Sequence, residues 1–280
     1  MREIAYSQIV EAVKELCLDA NYRLDASMIR ALEEARRREE SPAGRKILDH
    51  LLENARIAAS GENPLCQDTG LAVFFIELGQ EVHLAGGRLE DAVNEGVRCA
   101  YREGYLRNSV VDDPLRRRNT GDNTPAVIWL DLVPGDRLRI DMAPKGAGSE
   151  NMSGLAMLKP SQGEEGVIDF VVDWISRAGG NPCPPIIVGV GLGGTFEKAA
   201  WLAKKAILRE LGERHPDPYY AQLEERLLER INALGIGPMG FGGRTTALDV
   251  HIEVYPCHIA SLPVAVNIQC HSARHKRIIL

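Results

Sequence analysis

The pattern of apolar residues changes near residue 60, and this change limits the possible folds. Up to that point apolar residues recur at helical spacing, and Ser7, Asp25 and Ser41 stand where helix N-caps are expected. Beyond it, short apolar runs bounded by Gly or Pro are typical of strands, and they alternate with helical segments. The chain is therefore predicted to be mixed α/β, with a helical N-terminal portion followed by a mixed sheet with packed helices.

The same patterns predict the individual elements of the later portion. Strands are expected over 71–78, 126–133, 137–142, 186–190, 248–254 and 263–268. Helices are expected over 89–102, 196–211 and 218–234. Because no internal repeat or clear linker is visible, residues 1–280 are predicted to form one domain. Its helical portion would cover 1–60 and its α/β portion 61–280.

Composition excludes several classes of protein. Of the 280 residues, 45% are hydrophobic and 26% are charged, which is ordinary for a globular domain. Basic residues number 33 and acidic residues 39, and the resulting net charge of −6 argues against a nucleic-acid partner. No apolar run reaches the roughly 18 residues of a membrane span, and the N-terminal sequence has no secretory or transit pattern. We therefore expect a cytoplasmic protein with no membrane partner.

The six cysteines differ in their surroundings. Cys17 and Cys99 lie on apolar helical stripes and are interpreted as packed side chains. Cys66, Cys183 and Cys270 lie instead in polar loops bounded by glycine or proline. Two interpretations stay open for these three residues: they are separate buried thiols, or they are ligands of one shared metal centre.

The spacing of the three loop cysteines limits the kind of metal centre that they would form. They stand 117 and 87 residues apart, whereas zinc sites usually contain closely spaced ligand pairs. Ferredoxin clusters use four cysteines, three of them in a tight run. A four-iron cluster held by three cysteines would leave one iron open to substrate, where it acts as a Lewis acid. Such an arrangement suits dehydration better than electron transfer.

Other polar groups lie next to predicted elements. Arg107 follows a helix and is a candidate for binding a carboxylate. The glycine-rich loop 145–153 offers backbone N–H groups to an anion. His258, at the exit of a strand, is interpreted either as a proton donor or as a packed histidine, and the neighbouring Cys257 as structural.

Glycines over residues 189–194 match the Gly-x-Gly-x-x-Gly pattern of dinucleotide-binding proteins. Those proteins place an acidic residue at the end of a second strand about 20 positions further on. Here the corresponding region, 207–212, is expected to continue a helix. The glycines are therefore interpreted as a tight strand-to-helix turn, and a nicotinamide-dependent dehydrogenase is kept as an alternative.

A set of motifs occurs in an order that resembles one enzyme family. The motifs are Cys66-Gln-Asp-Thr-Gly70, Leu106-Arg-Asn-Ser109, Asn119-Thr-Gly-Asp-Asn-Thr-Pro125, Lys145-Gly-Ala-Gly-Ser-Glu-Asn-Met-Ser153, Asn181-Pro-Cys-Pro-Pro185 and Asn267-Ile-Gln-Cys-His271. They resemble those of the class I iron–sulfur fumarate hydratases and are similar to those of the α subunit of L-tartrate dehydratase. The resemblance extends over about residues 9–277.

The resemblance implies a reaction, a cofactor and the residues that serve them. The reaction is the reversible hydration of fumarate to (S)-malate by an iron–sulfur hydro-lyase. The alternatives are dehydration of tartrate to oxaloacetate and, in another class, a non-catalytic iron–sulfur sensor. A 4Fe-4S cluster would be held by Cys66, Cys183 and Cys270. Substrate would be bound by Gln67, Arg107 and the backbone at Gly146, and protons would be transferred by Asp68 and His258.

The chain departs from the family pattern in two respects. Ala147 stands where the family often has glycine, and alanine would cost about 1 kcal/mol if that position required a positive φ. Single-chain relatives continue into a further domain that supplies more cationic residues, whereas this chain ends ten residues after Cys270. The resemblance therefore implies an α subunit whose site is completed by a separate β subunit, with α2β2 as the expected assembly.

Overall fold

The fold is that of a computed structural model, which describes residues 2–61 and 63–280. The helices are α1 (Tyr6–Tyr22), α2 (Ala26–Arg38), α3 (Pro42–Ala59), α4 (Leu89–Glu103), α5 (Ala147–Glu150), α6 (Gly163–Ala178), α7 (Phe196–Ala206) and α8 (Pro218–Asn232). The strands are β1 (Arg2–Ala5), β2 (Leu71–Gly79), β3 (Val82–Ala85), β4 (Val127–Val133), β5 (Leu138–Lys145), β6 (Gly154–Leu158), β7 (Ile186–Gly193), β8 (Ala247–Tyr255), β9 (Leu262–Gln269) and β10 (Lys276–Ile279). The predicted mixed α/β class, with mixed sheets, is confirmed. In the part of the chain that the structure describes, no helix is both long enough and apolar enough to cross a membrane.

Some predicted elements need correction. The helical N-terminal portion begins with the short strand β1, so the N-cap of α1 is Ala5, and Ser7 lies inside the helix. Helix α7 ends at Ala206 and not at residue 211, because the segment after it is held by buried carboxylates. There Arg209 pairs with the buried Glu224 at 2.7 Å. Strands β3, β6 and β10 and helices α5 and α6 have no counterpart among the predicted elements.

The described residues divide into two compact units. The first unit comprises residues 2–24, 55–61, 63–147 and 274–280, and the second comprises 25–54 and 148–273. In the first unit a four-stranded sheet has the order β10-β5-β2-β4, and a two-stranded parallel sheet pairs β1 with β3. Helix α1 packs against the larger sheet and against α4, and the shared core includes Val13, Phe74 and Val97, all of them buried.

The second unit has a four-stranded sheet in the order β6-β9-β7-β8. Apolar residues of α6 and α8 form one core with this sheet, whereas α7 packs against β7 and β9. The close packing of α7 explains two glycines of the 189–194 pattern. A Cβ atom at Gly189 or Gly191 would lie 2.1 or 2.0 Å from the carbonyl oxygen of Ala203 or Ala199, respectively. Positive φ angles at Gly193 and Gly194 then make the predicted strand-to-helix turn.

The two larger sheets share one arrangement of strands. In each sheet a first strand runs parallel to a second, after a helical crossover, and antiparallel to a third strand on its other side. These strands are β2, β4 and β5 in the first unit and β7, β8 and β9 in the second. The loop before the first strand therefore lies next to the chain that leaves the third strand. In both units this place carries residues singled out by the sequence.

Candidate active site

In the first unit the Cys66–Gly70 loop lies beside the end of β5, because Leu71 pairs with Lys145. The half-buried carboxylate of Asp68 is held by backbone donors from both segments. Its Oδ1 accepts a hydrogen bond of 3.0 Å from the Gly70 N–H, and its Oδ2 accepts one of 2.8 Å from the Ala147 N–H. Gly70 has a φ of 74°, and a Cβ atom there would lie 2.7 Å from the Lys145 backbone nitrogen. Only glycine therefore fits at the exit of this loop.

The predicted anion-binding loop 145–153 has a more regular structure than expected. It consists of the last residue of β5, the short helix α5 and the approach to β6. Ala147 begins α5 and does not adopt a positive φ, so the strain considered for alanine at this position is not present. Gly146 lies against Asp68, because a Cβ atom at Gly146 would be 3.1 Å from Asp68 Oδ2. Gly146 thus leaves space for the carboxylate.

Arg107 is attached to the same loop through its backbone. Its carbonyl oxygen accepts a hydrogen bond of 2.9 Å from the Thr69 hydroxyl, while its side chain is exposed. Gln67 is also exposed. The first unit therefore brings five of the sequence-predicted site residues to one place: Cys66, Gln67, Asp68, Arg107 and Gly146.

Three buried side chains that hold this loop were not selected from the sequence. The Tyr101 hydroxyl donates to the carbonyl oxygens of Thr69 at 2.7 Å and Gly70 at 3.1 Å. Asn123 Nδ2 donates to the Gly70 carbonyl oxygen at 3.1 Å, and Arg274 Nη2 donates to the Asp68 carbonyl oxygen. Burial raises the pKa of the Tyr101 phenol, which keeps it protonated as a donor. Two of these residues could have been found from the sequence. Asn123 lies inside the motif Asn119–Pro125, and Arg274 follows Cys270 by four positions.

The second unit places Cys183 and Cys270 in adjacent segments. The pairing of Ile187 with Gln269 brings the start of β7 beside the end of β9. The His271 N–H donates to the Cys183 carbonyl oxygen at 3.3 Å, and Cys183 adopts a φ of 57° between two prolines. Both cysteine side chains are partly exposed.

His258 lies at the opposite end of the second unit's sheet. It belongs to the exposed connection between β8 and β9, beyond the pair of Gly193 with Tyr255. Strand β7 has eight residues, and at roughly 3.3 Å per residue it separates His258 from the Cys183 loop by over 20 Å. The sheet of this chain therefore does not bring His258 to Cys183 or Cys270, and its catalytic role stays a prediction.

The remaining cysteines have the surroundings of structural residues or of isolated thiols. Cys17 is fully buried, and burial raises the pKa of its thiol. Burial, and then the hydrogen bond to Glu95, also raise the pKa of Cys99. Because metal ligation requires the thiolate, these two side chains are poorly suited to bind iron. Cys257 is exposed, and its Sγ lies 3.4 Å from the Ser261 carbonyl oxygen.

The three loop cysteines are the candidate ligands of the expected iron–sulfur cluster. Over residues 2–61 and 63–280, no group of three or more His, Cys, Asp or Glu side chains has the placement of a metal site. Cys66 lies in the first unit, and Cys183 and Cys270 lie in the second. Their chemistry does fit the group, because all three are partly exposed thiols outside any disulfide, and thiolates are the preferred ligands of iron–sulfur clusters.

Comparison with known proteins defines the class to which this fold and site belong. Residues 10–279 match the family described as fumarate hydratase (Fumerase). The chain belongs to this family of hydro-lyases, so the expectations of the family and of an enzyme are confirmed.

Three relatives that are similar over nearly the whole chain are named as α subunits. A putative L(+)-tartrate dehydratase subunit alpha from Methanocaldococcus jannaschii is 47% identical over 279 residues, covering 97% of this chain and 98% of the relative. The L(+)-tartrate dehydratase subunit alpha of Escherichia coli O157:H7 is 35% identical, covering 100% of this chain and 93% of the relative. The protein of the same name from Escherichia coli strain K12 is also 35% identical.

Proposed function

We infer that this chain is the α subunit of an iron–sulfur hydro-lyase that adds water to, or removes it from, a four-carbon dicarboxylate. The observation that carries this function is the placement of Asp68. Its carboxylate is held by two backbone N–H groups, in a loop that also carries Cys66 and Gln67 and is bonded to the backbone of Arg107. A carboxylate held in position is what proton transfer to or from a substrate requires.

Each side chain at this place has a defined task. Asp68 holds or receives the proton that moves between the substrate carbon or hydroxyl and the protein. The two N–H donors keep its carboxylate oriented, and an oriented catalytic group avoids the loss of rate that misplacement causes. The exposed guanidinium of Arg107 binds a substrate carboxylate with two parallel hydrogen bonds. The Gln67 amide binds a second polar group of the substrate. His258 is kept as a second proton-transfer residue.

Cys66, Cys183 and Cys270 are proposed to hold the 4Fe-4S cluster. When bound, the cluster supplies a Lewis-acidic iron without a cysteine ligand, which polarises a substrate oxygen. The chain itself contributes thiol ligands on loops that backbone hydrogen bonds hold in place. One of these bonds runs from the His271 N–H to the Cys183 carbonyl oxygen. Stiff loops of this kind keep ligands oriented for a metal centre.

Two substrates of the same chemistry are supported. The family description names fumarate, which agrees with the expectation of fumarate and (S)-malate. The full-length relatives are named for L(+)-tartrate, which supports tartrate to the same degree. Both are four-carbon dicarboxylates, so the positioned Asp68 and Arg107 serve either of them. The name "subunit alpha" of the relatives also supports a separate β subunit that completes the site, with α2β2 as the proposed assembly.

The experiment is anaerobic co-expression of this chain with a fumarate hydratase-type β subunit from the same genome, followed by assays on fumarate, (S)-malate and L-tartrate. We expect turnover of at least one of the three, and the ratio of kcat/KM values identifies the substrate. A complex with a full complement of iron that turns over none of them would contradict the hydro-lyase function and favour the sensor.

A further inference from the structure

Arg274 is a buried arginine that the proposed mechanism does not use. It is 2% exposed, and its Nη2 donates to the Asp68 carbonyl oxygen. Its Nε and Nη1 atoms have no hydrogen-bond partner among the described residues. No acidic side chain in the same described set lies within ion-pair distance of it. A buried guanidinium with unpaired N–H groups is costly, so this placement calls for an explanation.

Arg274 contacts the Cys66–Gly70 loop, whose backbone is held by buried side chains. Three successive carbonyl oxygens of this loop, those of residues 68, 69 and 70, are bound by buried side chains. Tyr101 and Asn123 bind the second and the third, and Arg274 binds the first. These three buried donors, called anchors below, hold the backbone of the loop through its carbonyl oxygens. Of the three anchors, Arg274 is the one bonded directly to Asp68.

The position of Arg274 in the chain adds a second argument. It is the first residue of segment 274–280, the last segment of the first unit. Its hydrogen bond to Asp68 therefore joins the Cys66–Gly70 loop to a segment of the same unit that is about 200 residues further along the chain. Its buried positive charge also lies close to Tyr101, which binds the next carbonyl oxygen of the loop. Burial raises the pKa of the Tyr101 phenol, and Arg274 has a smaller, opposite effect.

We propose that Arg274 is a positioning residue of the active site, which fixes the Cys66–Gly70 loop through the Asp68 carbonyl and so orients the Asp68 carboxylate toward substrate. The proposal rests on the proposed function for its effect on catalysis. Its effect on the loop itself is independent of any substrate.

The test compares Arg274→Gln and Arg274→Lys with the control Arg277→Gln. Arg277 lies three residues further on, is half-exposed and pairs with Asp141, so its replacement removes an arginine from the same segment without touching the loop. The first measurement is amide hydrogen exchange of the purified chain in peptides that contain Gly70 and Ala147. The N–H groups of these two residues bind the Asp68 carboxylate, so their protection reports its orientation.

In Arg274→Gln we expect these two amides to exchange at least tenfold faster, with the amides of β2 and β5 changed less than twofold. Arg274→Lys should restore part of the protection, because an ammonium group also donates to a carbonyl oxygen. Arg277→Gln should exchange like the wild type at both amides. In the assembled enzyme kcat of Arg274→Gln should fall at least thirtyfold, with a smaller change in KM.

Two outcomes would overturn the proposal. One is wild-type exchange at Gly70 and Ala147 in Arg274→Gln. The other is faster exchange throughout the first unit that Arg274→Lys does not reduce, which would assign Arg274 to general stability. If the wild-type enzyme turned over no dicarboxylate, the proposed function would fail, while the exchange measurement would still decide the positioning role.

Discussion

The Oδ2 atom of Asp68 accepts a hydrogen bond of 2.8 Å from the backbone N–H of Ala147, across two segments that are 79 residues apart in the chain. The other oxygen accepts from Gly70 at 3.0 Å. Both donors are backbone groups at the end of one sheet, so the carboxylate is oriented by the fold itself and not by a mobile side chain. Each oxygen keeps a further lone pair with which to accept a proton or a substrate hydrogen bond.

Replacing Asp68 by Asn should reduce turnover at least a hundredfold. The amide loses the charge that accepts a proton, and its NH2 group would face one of the two N–H donors. Steady-state kinetics and iron analysis of the assembled enzyme test this, and the iron content should equal that of the wild type. Near-normal turnover would remove Asp68 from the chemistry.

Gly146→Ala should displace the Asp68 carboxylate without unfolding the chain. The added Cβ atom would lie 3.1 Å from Asp68 Oδ2, closer than ordinary contact, so the carboxylate must shift by a few tenths of an ångström. Because misplacement by about 1 Å costs roughly a hundredfold in rate, we expect kcat to fall about tenfold.

Gly148→Ala is the matched control for this substitution. A Cβ atom at Gly148 would meet no atom closer than 3.7 Å, although the residue lies only two positions further along the chain. Its kcat should stay within twofold of the wild type. Equal rates in the two variants would show that the contact between Gly146 and Asp68 has no catalytic effect.

Much of the fold was predictable because the signals were local. Strand β8 alternates apolar and polar residues, and helix α2 begins directly after Asp25, as expected. Helix α6 was not predicted, although its sequence carries a helical signal. Its buried residues recur at helical spacing, and they are Val167, Ile168, Val171 and Ile175. The shared arrangement of the two sheets was not readable, because it is a property of strand pairing and not of residue identity.

The motifs of the candidate site were predictable from the sequence, but the side chains that hold the Asp68 loop were not. Asp68 was selected from its own loop, but its anchors Tyr101 and Arg274 are 33 and 206 residues away in sequence and look locally like core and surface residues. The separation of His258 from Cys270 was equally hidden. Twelve positions in sequence correspond here to the whole length of β9, because the intervening residues form one extended strand.

Cys183→Ser should abolish retention of the cluster after anaerobic reconstitution. The wild-type chain should bind about four irons per chain, as a 4Fe-4S cluster requires, and lose one of them in air. Cys99→Ser is the control, because Cys99 is a partly buried helical residue whose thiol has a raised pKa. Iron and sulfide analysis decide the matter. A full iron content in Cys183→Ser would contradict the ligand assignment.

Asp249 should make the second unit sensitive to acid. Burial on its own raises the pKa of this carboxyl, but His251, Gly212 and Arg214 together lower it to about 2. An unfolded aspartate has a pKa of about 3.9, so the stabilisation is complete above that value and is lost as the pH falls toward 2. The corresponding free energy is about 2–3 kcal/mol.

Urea unfolding at pH 5 and pH 2.5 tests this in the wild type and in Asp249→Asn. The variant should show a smaller drop in the free energy of unfolding between the two pH values. Asp173→Asn is the control, because Asp173 pairs with Arg177 at the surface and has a side chain that is 54% exposed. The control should follow the wild type, since exposed pairs contribute little. An identical drop in all three proteins would exclude Asp249 as the source.

The isolated chain should keep its cluster and yet be nearly inactive. Among the predicted site residues Arg107 is the single cationic side chain, whereas a dicarboxylate presents two anions to be held in a site that excludes water. An unpaired carboxylate in such a site costs several kcal/mol, and each 1.4 kcal/mol is about a factor of ten in rate or affinity. Without its β subunit the chain should therefore turn over substrate at least a thousandfold more slowly. Rate measurements and size-exclusion chromatography of the purified chain, with and without the β subunit, check this. Full activity from the isolated chain would overturn the idea of a site shared between two subunits.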